Sequence, residues 1–451
     1  MALLVALAVL ATPALLFAHA HLVRSNPAEH ASLTAVPTTL SLWFSEKPEI
    51  KFTAVQLSDS SGGAVALGAV AAAESNGITV PIGGAMKPGR YTVTWRTAAS
   101  DGHATSGKFD FSIAPSAAAQ TPTPVTIPDT AQAMKPDTVI THTTVPNSLI
   151  VPGNTSTFSA PMRWAELVAL LTLVGLVIFR LAVLPVAGWP QDLVAAASDR
   201  AIRLGRALLI LFAIATLTRG FAQASLLPSF VGSRFAALAA VVENTRWGAA
   251  WAVGAVGAVV VIIGFLLAGK VFAGWIVAAI GLVVIAVSEA LTGHSGSVPH
   301  AAAAIAADVA HVLGAGGWLG GLTAVMLCGL PVLRRLDEAK ANDAGAKLVR
   351  AYHGSAMECV AVVLLSAIIA ALTRFPSVSS LWTTPYGLAL LRKTIFVAVV
   401  VGFGFYHWRR VVVPAWTSHT LARFRRSAAA ELVFGAVVIA FTAYLIIQPL
   451  P

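Results

Sequence analysis

A series of long apolar runs, starting after residue 160 and continuing to the end of the chain, constrains the fold more than any other feature. About eight runs, at 164–185, 204–225, 248–268, 271–291, 303–330, 354–373, 390–412 and 429–448, can each cross about 30 Å of hydrocarbon as a helix. Backbone in lipid must satisfy its own hydrogen bonds, so such runs predict an all-α polytopic bundle. Only 11% of the 451 residues are charged, against about 25% in a typical soluble domain. Residues 19–160 hold 8 Lys/Arg and 9 Asp/Glu, a net of −1, whereas residues 161–451 hold 22 and 11, a net of +11. The basic excess therefore belongs to the spans. With an even number of spans, alternate loops collect Arg200, Arg203, Arg206, Lys270, Arg334, Arg335, Arg409, Arg410, Arg425 and Arg426, while the 292–300 loop has no Lys or Arg. The positive-inside rule puts those basic loops in the cytoplasm, and the N-terminal region and the C-terminus outside. No soluble face gathers basic residues, which argues against a nucleic-acid partner.

Ahead of the spans lies a soluble region with a different texture. Residues 3–18 form an apolar run too short for a comfortable span, read as a signal peptide over 1–18. The basic residues that usually precede such a run are missing, so the true start is expected upstream. Cleavage after Ala18 leaves His19 first, and cleavage after Ala20 leaves His21. Residues 40–45, 52–58, 78–82, 90–96 and 108–113 alternate apolar and polar side chains between turn signals such as Ser61-Gly62-Gly63 and Lys87-Pro88-Gly89. That pattern predicts a small all-β sandwich or barrel. The two cysteines, Cys328 and Cys359, both fall in the spans, so this head must rely on an apolar core. Residues 115–160 are rich in Pro, Thr and Ser and read as an extended linker.

An N-terminal histidine can chelate a metal through its α-amino nitrogen and ring Nδ1. A second imidazole and a carboxylate complete a tetragonal set of the kind Cu(II) prefers. The motif Ser100-x-Gly102 with Asp101 and His103 supplies both groups. On spacing alone, a turn at Asp101-Gly102 with a surface His103 is equally open. The segments HAHLVRSNPAE (19–29), LSLWFSE (40–46), GRYTVTWR (89–96) and SDGHATSGKFDFSI (100–113) resemble the CopC family of periplasmic copper-binding proteins. The resemblance implies a cupredoxin-like Greek-key fold over 19–114 and Cu(II) ligation by His19, Asp101 and His103, with Glu46 close to the site. It favours the cut before His19 and leaves His21 and His30 as solvated side chains. Some family members add a methionine-rich Cu(I) site. This head has only Met86 between its first strand and the linker, so that site is expected to be absent.

Ionisable residues within spans are costly and mark candidate sites by default. The segment 289–328 is the densest, with Glu289, His294, His300, Asp308 and His311. Asp308 and His311 share a helix face, so they either act together on an ion or Asp308 orients the imidazole. Glycines 314, 316, 317, 320 and 321 suit close helix approach. Met326 with Cys328 and Met357 with Cys359 read as soft donors at a common depth near the inner face, or as apolar filling. His353 and His407 lie at span ends. The segment 289–328, TTPYGLALLRK (383–393) and the closing Gln448-Pro449 resemble the CopD family of inner-membrane copper proteins across roughly 161–451.

Together the two resemblances imply a fusion that binds copper outside and passes it across the cytoplasmic membrane, uptake being favoured, in copper homeostasis and resistance. Expected partners are the copper ion (Cu(II) in the head, Cu(I) in the spans), membrane lipid, and periplasmic copper carriers or a reductase. Two other classes remain open: a copper redox enzyme built on a histidine brace, and a haem-binding membrane oxidoreductase. The first would need open coordination positions and a substrate platform; the second needs two facing mid-membrane histidines, of which His311 alone lies well inside a span.

Overall fold

The computed structural model describes residues 22–45, 48, 50, 53–98, 104–115, 159–225, 233–293, 300–375, 377–409 and 417–446. The expected signal peptide and nearly all of the expected linker lie outside them. The chain forms two compact units, a β head and a helical bundle.

Among the described residues the head is a two-sheet sandwich of nine strands: β1 Leu22–Asn26, β2 Ser32–Leu33, β3 Thr39–Phe44, β4 Ala54–Asp59, β5 Ala64–Val65, β6 Ala71–Ala73, β7 Gly77–Pro81, β8 Gly89–Ala98 and β9 Ala104–Ile113. One sheet runs β1-β3-β7-β6, the other β2-β9-β8-β4-β5. All pairings are antiparallel except β2 with β9. The five strands expected from alternation are present, and the very short β2, β5 and β6 carry too few residues to show a period. Alternate residues face the core: Leu40, Leu42 and Phe44 from β3, Tyr91, Val93 and Trp95 from β8, Phe109, Phe111 and Ile113 from β9. Each such burial contributes about 1.5–3 kcal/mol, so no disulfide is required. Met86 packs into this core. A Cβ on Gly107 would sit 2.7 Å from the indole of Trp95, so only glycine admits that ring. At the Ser61-Gly62-Gly63 turn, Gly62 takes φ +83° while Asp59 Oδ1 accepts from Ser61 N at 2.9 Å, Ser61 Oγ at 2.6 Å and Gly63 N at 2.8 Å.

Among the described residues, eight helices are long and apolar enough to cross a membrane. They are α1 Ala160–Ala187, α2 Gln191–Ser225, α4 Arg246–Leu267, α5 Ala273–Thr292, α6 Ala301–Arg335, α7 Glu338–Arg374, α8 Tyr386–His407 and α9 His419–Ile446. A shorter helix, α3 Arg234–Asn244, precedes α4. The expected spans all appear, but α2, α7 and α9 extend ten or more residues beyond their apolar runs at the N-terminal end. Those extensions are polar segments that hydropathy ignores and helix propensity continues.

Helices α1 and α6 form the enclosed centre, with 72% and 78% of their apolar windows buried, against 11% for α8. Their crossing is a backbone contact: a Cβ on Gly175 would run into the main chain of Gly320, and one on Gly320 into Leu171 O. Helix α6 contains two π-helical stretches, Gly316–Gly320 and Val325–Gly329. Inserted turns of this kind re-aim the side chains around them and often mark functional positions. Helix α7 lies antiparallel to α6, with Val363 against Gly314 and Leu348 against Gly329.

Candidate functional site

In the head, His19, His21, Glu46, Asp101 and His103 lie outside the described residues, and what is described are the strands that carry them. Strand β1 begins at Leu22, paired with Phe44 near the end of β3. Strands β8 and β9 pair out to Ala98 and Ala104, so Asp101 and His103 belong to their connection. Phe44 meets Trp95 of β8 edge-on at 5.2 Å, and Thr53 and Thr97 share a buried 2.7 Å hydrogen bond. The start of β1, the end of β3 and the β8–β9 connection thus leave the sandwich from one end. His30 lies elsewhere, with its side chain 74% exposed and 3.7 Å from Glu29.

At the end of the bundle where α1 begins, Glu289 does not stand as an open ligand. It joins Arg163, Glu166 and Arg219 in a neutral network buried between α1, α2 and α5. Arg163 binds Glu289 Oε2 and, at 2.8 Å, Glu166 Oε2; Arg219 lies 3.0 Å from Glu289 Oε1 and 3.3 Å from Glu166 Oε2. Thr216 Oγ1 donates to Glu166 Oε1 at 2.8 Å. All four carboxylate oxygens are therefore engaged, those of Glu289 by Arg163 and Arg219. A buried charge in this setting needs an opposite charge more than it needs a cargo.

Asp308, one turn from His311 on α6, has a partner on the next helix. Asp308 is held by Arg374 of α7, whose Nη2 lies 2.7 Å from Oδ1 and 2.6 Å from Oδ2. The carboxylate thus answers a guanidinium on the next helix, a stronger partner than a neutral imidazole one turn away. His311 Nδ1 meets Ser366 Oγ at 3.1 Å instead. Tyr386 and Lys393 of α8 complete the electrostatic surroundings of Asp308 and Arg374. His300 is exposed and left-handed at φ 64°, immediately before α6, and His294 lies outside the described residues.

The soft residues do not share a depth. Cys359 Sγ lies against Gly317 of α6, so close that a Cβ there would collide with it. Cys328 follows eleven residues later on α6, roughly 16 Å along the helix. The apolar window starts at residue 354, but α7 starts at Glu338, which shifts the register. Both cysteines are buried, Met326 packs on the core, and Met357 is 57% exposed. Among the described residues no three His, Cys, Asp or Glu side chains come together as a metal site.

One polar cluster escaped the sequence reading. At the bundle end opposite the four-charge network, a cavity of about 460 Å³ lies between α6, α7, α8 and α9, lined by His353, Met357, His407 and Glu431 among largely apolar neighbours. Glu431 is 2% exposed; its Oε1 accepts from Trp318 Nε1 at 3.0 Å, and His407 Nδ1 lies 3.1 Å from Oε2. His407 Nε2 meets Ser427 Oγ at 2.7 Å. The signal was available: Glu431 is an acid inside the last apolar run, the kind of residue that marks a site by default.

Comparison with known proteins follows these divisions. Residues 22–114 match the CopC domain, 156–303 the N-terminal domain of copper resistance protein D-like proteins, and 346–445 copper resistance protein D. Protein YobA of Escherichia coli (strain K12) is 35% identical over 106 residues, 23% of this chain and 85% of YobA. Copper transport protein CutJ of Bacillus subtilis (strain 168) is 25% identical over 399 residues, 85% of this chain and 67% of CutJ. The crystal structure of PcoC, a methionine-rich copper resistance protein from Escherichia coli, is 29% identical, covering 21% of this chain and 99% of PcoC with a TM-score of 0.20. This multi-pass membrane protein belongs to the copper resistance protein families, joining a CopC domain to both copper resistance protein D regions in one polypeptide.

Proposed function

We propose that this protein captures Cu(II) outside the cytoplasmic membrane and carries copper inward through the bundle, as a carrier and not an enzyme. The observation that carries the reading is the joining of a CopC domain to CopD regions in one chain, together with similarity to a copper transport protein over 399 residues. In this reading His19, exposed as the first mature residue, supplies its α-amine and ring, and Asp101 and His103 complete the set, with Glu46 beside them. The convergence of their parent strands at one end of the sandwich supports it. His294 and His300 receive the ion at the mouth of α6. His311, whose Nδ1 is held by Ser366, offers Nε2 for the next step. Asp308 acts with Arg374 to set the local charge and fix α6 against α7. Copper must exchange hydration for side chains at successive depths, since the low-dielectric interior offers nothing else. The basic loops orient the head to the periplasmic side, where other copper carriers and a reductase can reach it.

Radiocopper accumulation in cells expressing the chain tests the reading. Accumulation should exceed that of cells lacking the chain, fall in His103→Ala, and be abolished in a correctly inserted His311→Ala. Equal accumulation with and without the chain refutes transport; wild-type accumulation in His311→Ala refutes the route. A mature N-terminus at any residue other than His19 removes the chelate.

A further inference from the structure

We propose that the cavity between α7, α8 and α9 is a binding site for a monovalent soft cation, Cu(I), ligated by His353 and Met357 of α7 and balanced in charge by Glu431 of α9. The inference rests on the copper-carrying reading above and adds a second station to it, about two turns beyond His311 along α6 at the level of Trp318.

Three observations on this cavity converge. First, His353 and Met357 are four residues apart on α7, so both side chains project from one helix face, and both line the cavity. His353 makes no hydrogen bond among the described residues, and Met357 is 57% exposed, so neither is held in the packed core. An imidazole and a thioether form a donor pair suited to Cu(I), since thioethers are soft ligands, and too soft for a hard divalent ion. Second, Glu431 brings a carboxylate that is 2% exposed to the same wall. Its Oε1 accepts from Trp318 Nε1 at 3.0 Å and its Oε2 lies 3.1 Å from His407 Nδ1, so two contacts hold the carboxylate at the cavity wall. The buried carboxylate brings negative charge to the cavity wall, where a bound cation finds an opposite charge. Third, the space exists: about 460 Å³, with apolar walls from Val349, Phe405 and Trp408 that exclude competing hard ligands. Both His407 nitrogens are engaged, by Glu431 and Ser427, so His407 positions the carboxylate and is not itself a ligand.

The test uses the full chain, purified in detergent under anaerobic conditions, with His103→Ala as background to silence the head. Cu(I) is supplied as such and titrated against a chromogenic chelator. The background protein should bind one Cu(I) equivalent that His353→Ala with Met357→Leu loses, with affinity at least tenfold weaker. Glu431→Gln should weaken it on the order of 10-fold through charge alone. Met357→Leu conserves volume at a half-exposed position, so this variant folds and carries the test if the double variant does not. X-ray absorption of the loaded protein should show a mixed nitrogen and sulfur shell. Unchanged Cu(I) stoichiometry and affinity in these variants, a shell without sulfur, or a Soret band from haem in the purified protein each overturns the proposal. Cell accumulation separates it from the parent reading. Normal uptake without Cu(I) in the cavity refutes the station alone, whereas a loaded cavity without uptake refutes transport alone.

Discussion

Two buried polar clusters sit at opposite ends of the same bundle and are built on opposite principles. The Arg163–Glu166–Arg219–Glu289 network is neutral, and each carboxylate oxygen has a cationic or hydroxyl partner. The cluster around Glu431 has one carboxylate, held by Trp318 and His407, and a cavity beside it. The contrast shows how to read intramembrane charge. A closed, balanced set clamps helices; an unbalanced set next to open space is available to a ligand. The rule that intramembrane charge marks function picks out both and cannot separate them.

The comparison can be broken most directly at Arg163. Arg163→Ala leaves two buried carboxylates facing one guanidinium, and breaking a buried pair costs about 3–5 kcal/mol. The variant is expected to melt well below the wild type in detergent, and an unchanged melting temperature would show that the network is not a clamp. Next in size is Asp308→Asn, which strips Arg374 of its anion at a partly buried site. We expect a loss of about 1–3 kcal/mol, read as reduced thermal stability and partly restored by Arg374→Gln. No rescue would mean that Asp308 answers another group. Glu431→Gln should cost less than about 1 kcal/mol, because its amide oxygen can still accept from Trp318 and the cavity lets neighbours relax. If it destabilised as much as Arg163→Ala, the two clusters would be of one kind.

The smallest effect belongs to the head, at an exposed carboxylate. The Ser61 hydroxyl, with the Gly63 and Ser61 amides, lowers the Asp59 pKa below its ordinary value. A group with a depressed folded pKa adds stability above its unfolded pKa of about 3.9, and that stability is lost as pH falls through the folded value. Protection of the Ser61 and Gly63 amides, corrected for intrinsic exchange, should therefore decline on acidification below about pH 4. Asp59→Asn should show no such decline; the same decline in the variant would assign it to another carboxylate.

Much of this was legible in the sequence, for local reasons. Strand alternation in β3, β8 and β9 and the apolar runs of the eight spans are short-range patterns, and a linear reading recovers them. Helix ends were less legible: α7 begins sixteen residues before its apolar window, because polar residues extend a helix without raising hydropathy. That offset moved Cys359 away from the level of Cys328. Glu289 and Asp308 were recognised as costly, yet their partners Arg163 and Arg374 lie 126 and 66 residues away.

By itself, then, the sequence determined a β head ahead of eight spans, the positions of its longer strands, and the positions where charge enters the membrane. Only the tertiary structure decided which of those charges are spent on each other. Pairing energies depend on distance and enclosure, and both come from helices distant in sequence. Arg163 closes on Glu289 because α1 packs beside α5, and Glu431 meets His407 and Trp318 because α9 lies against α8 and α6.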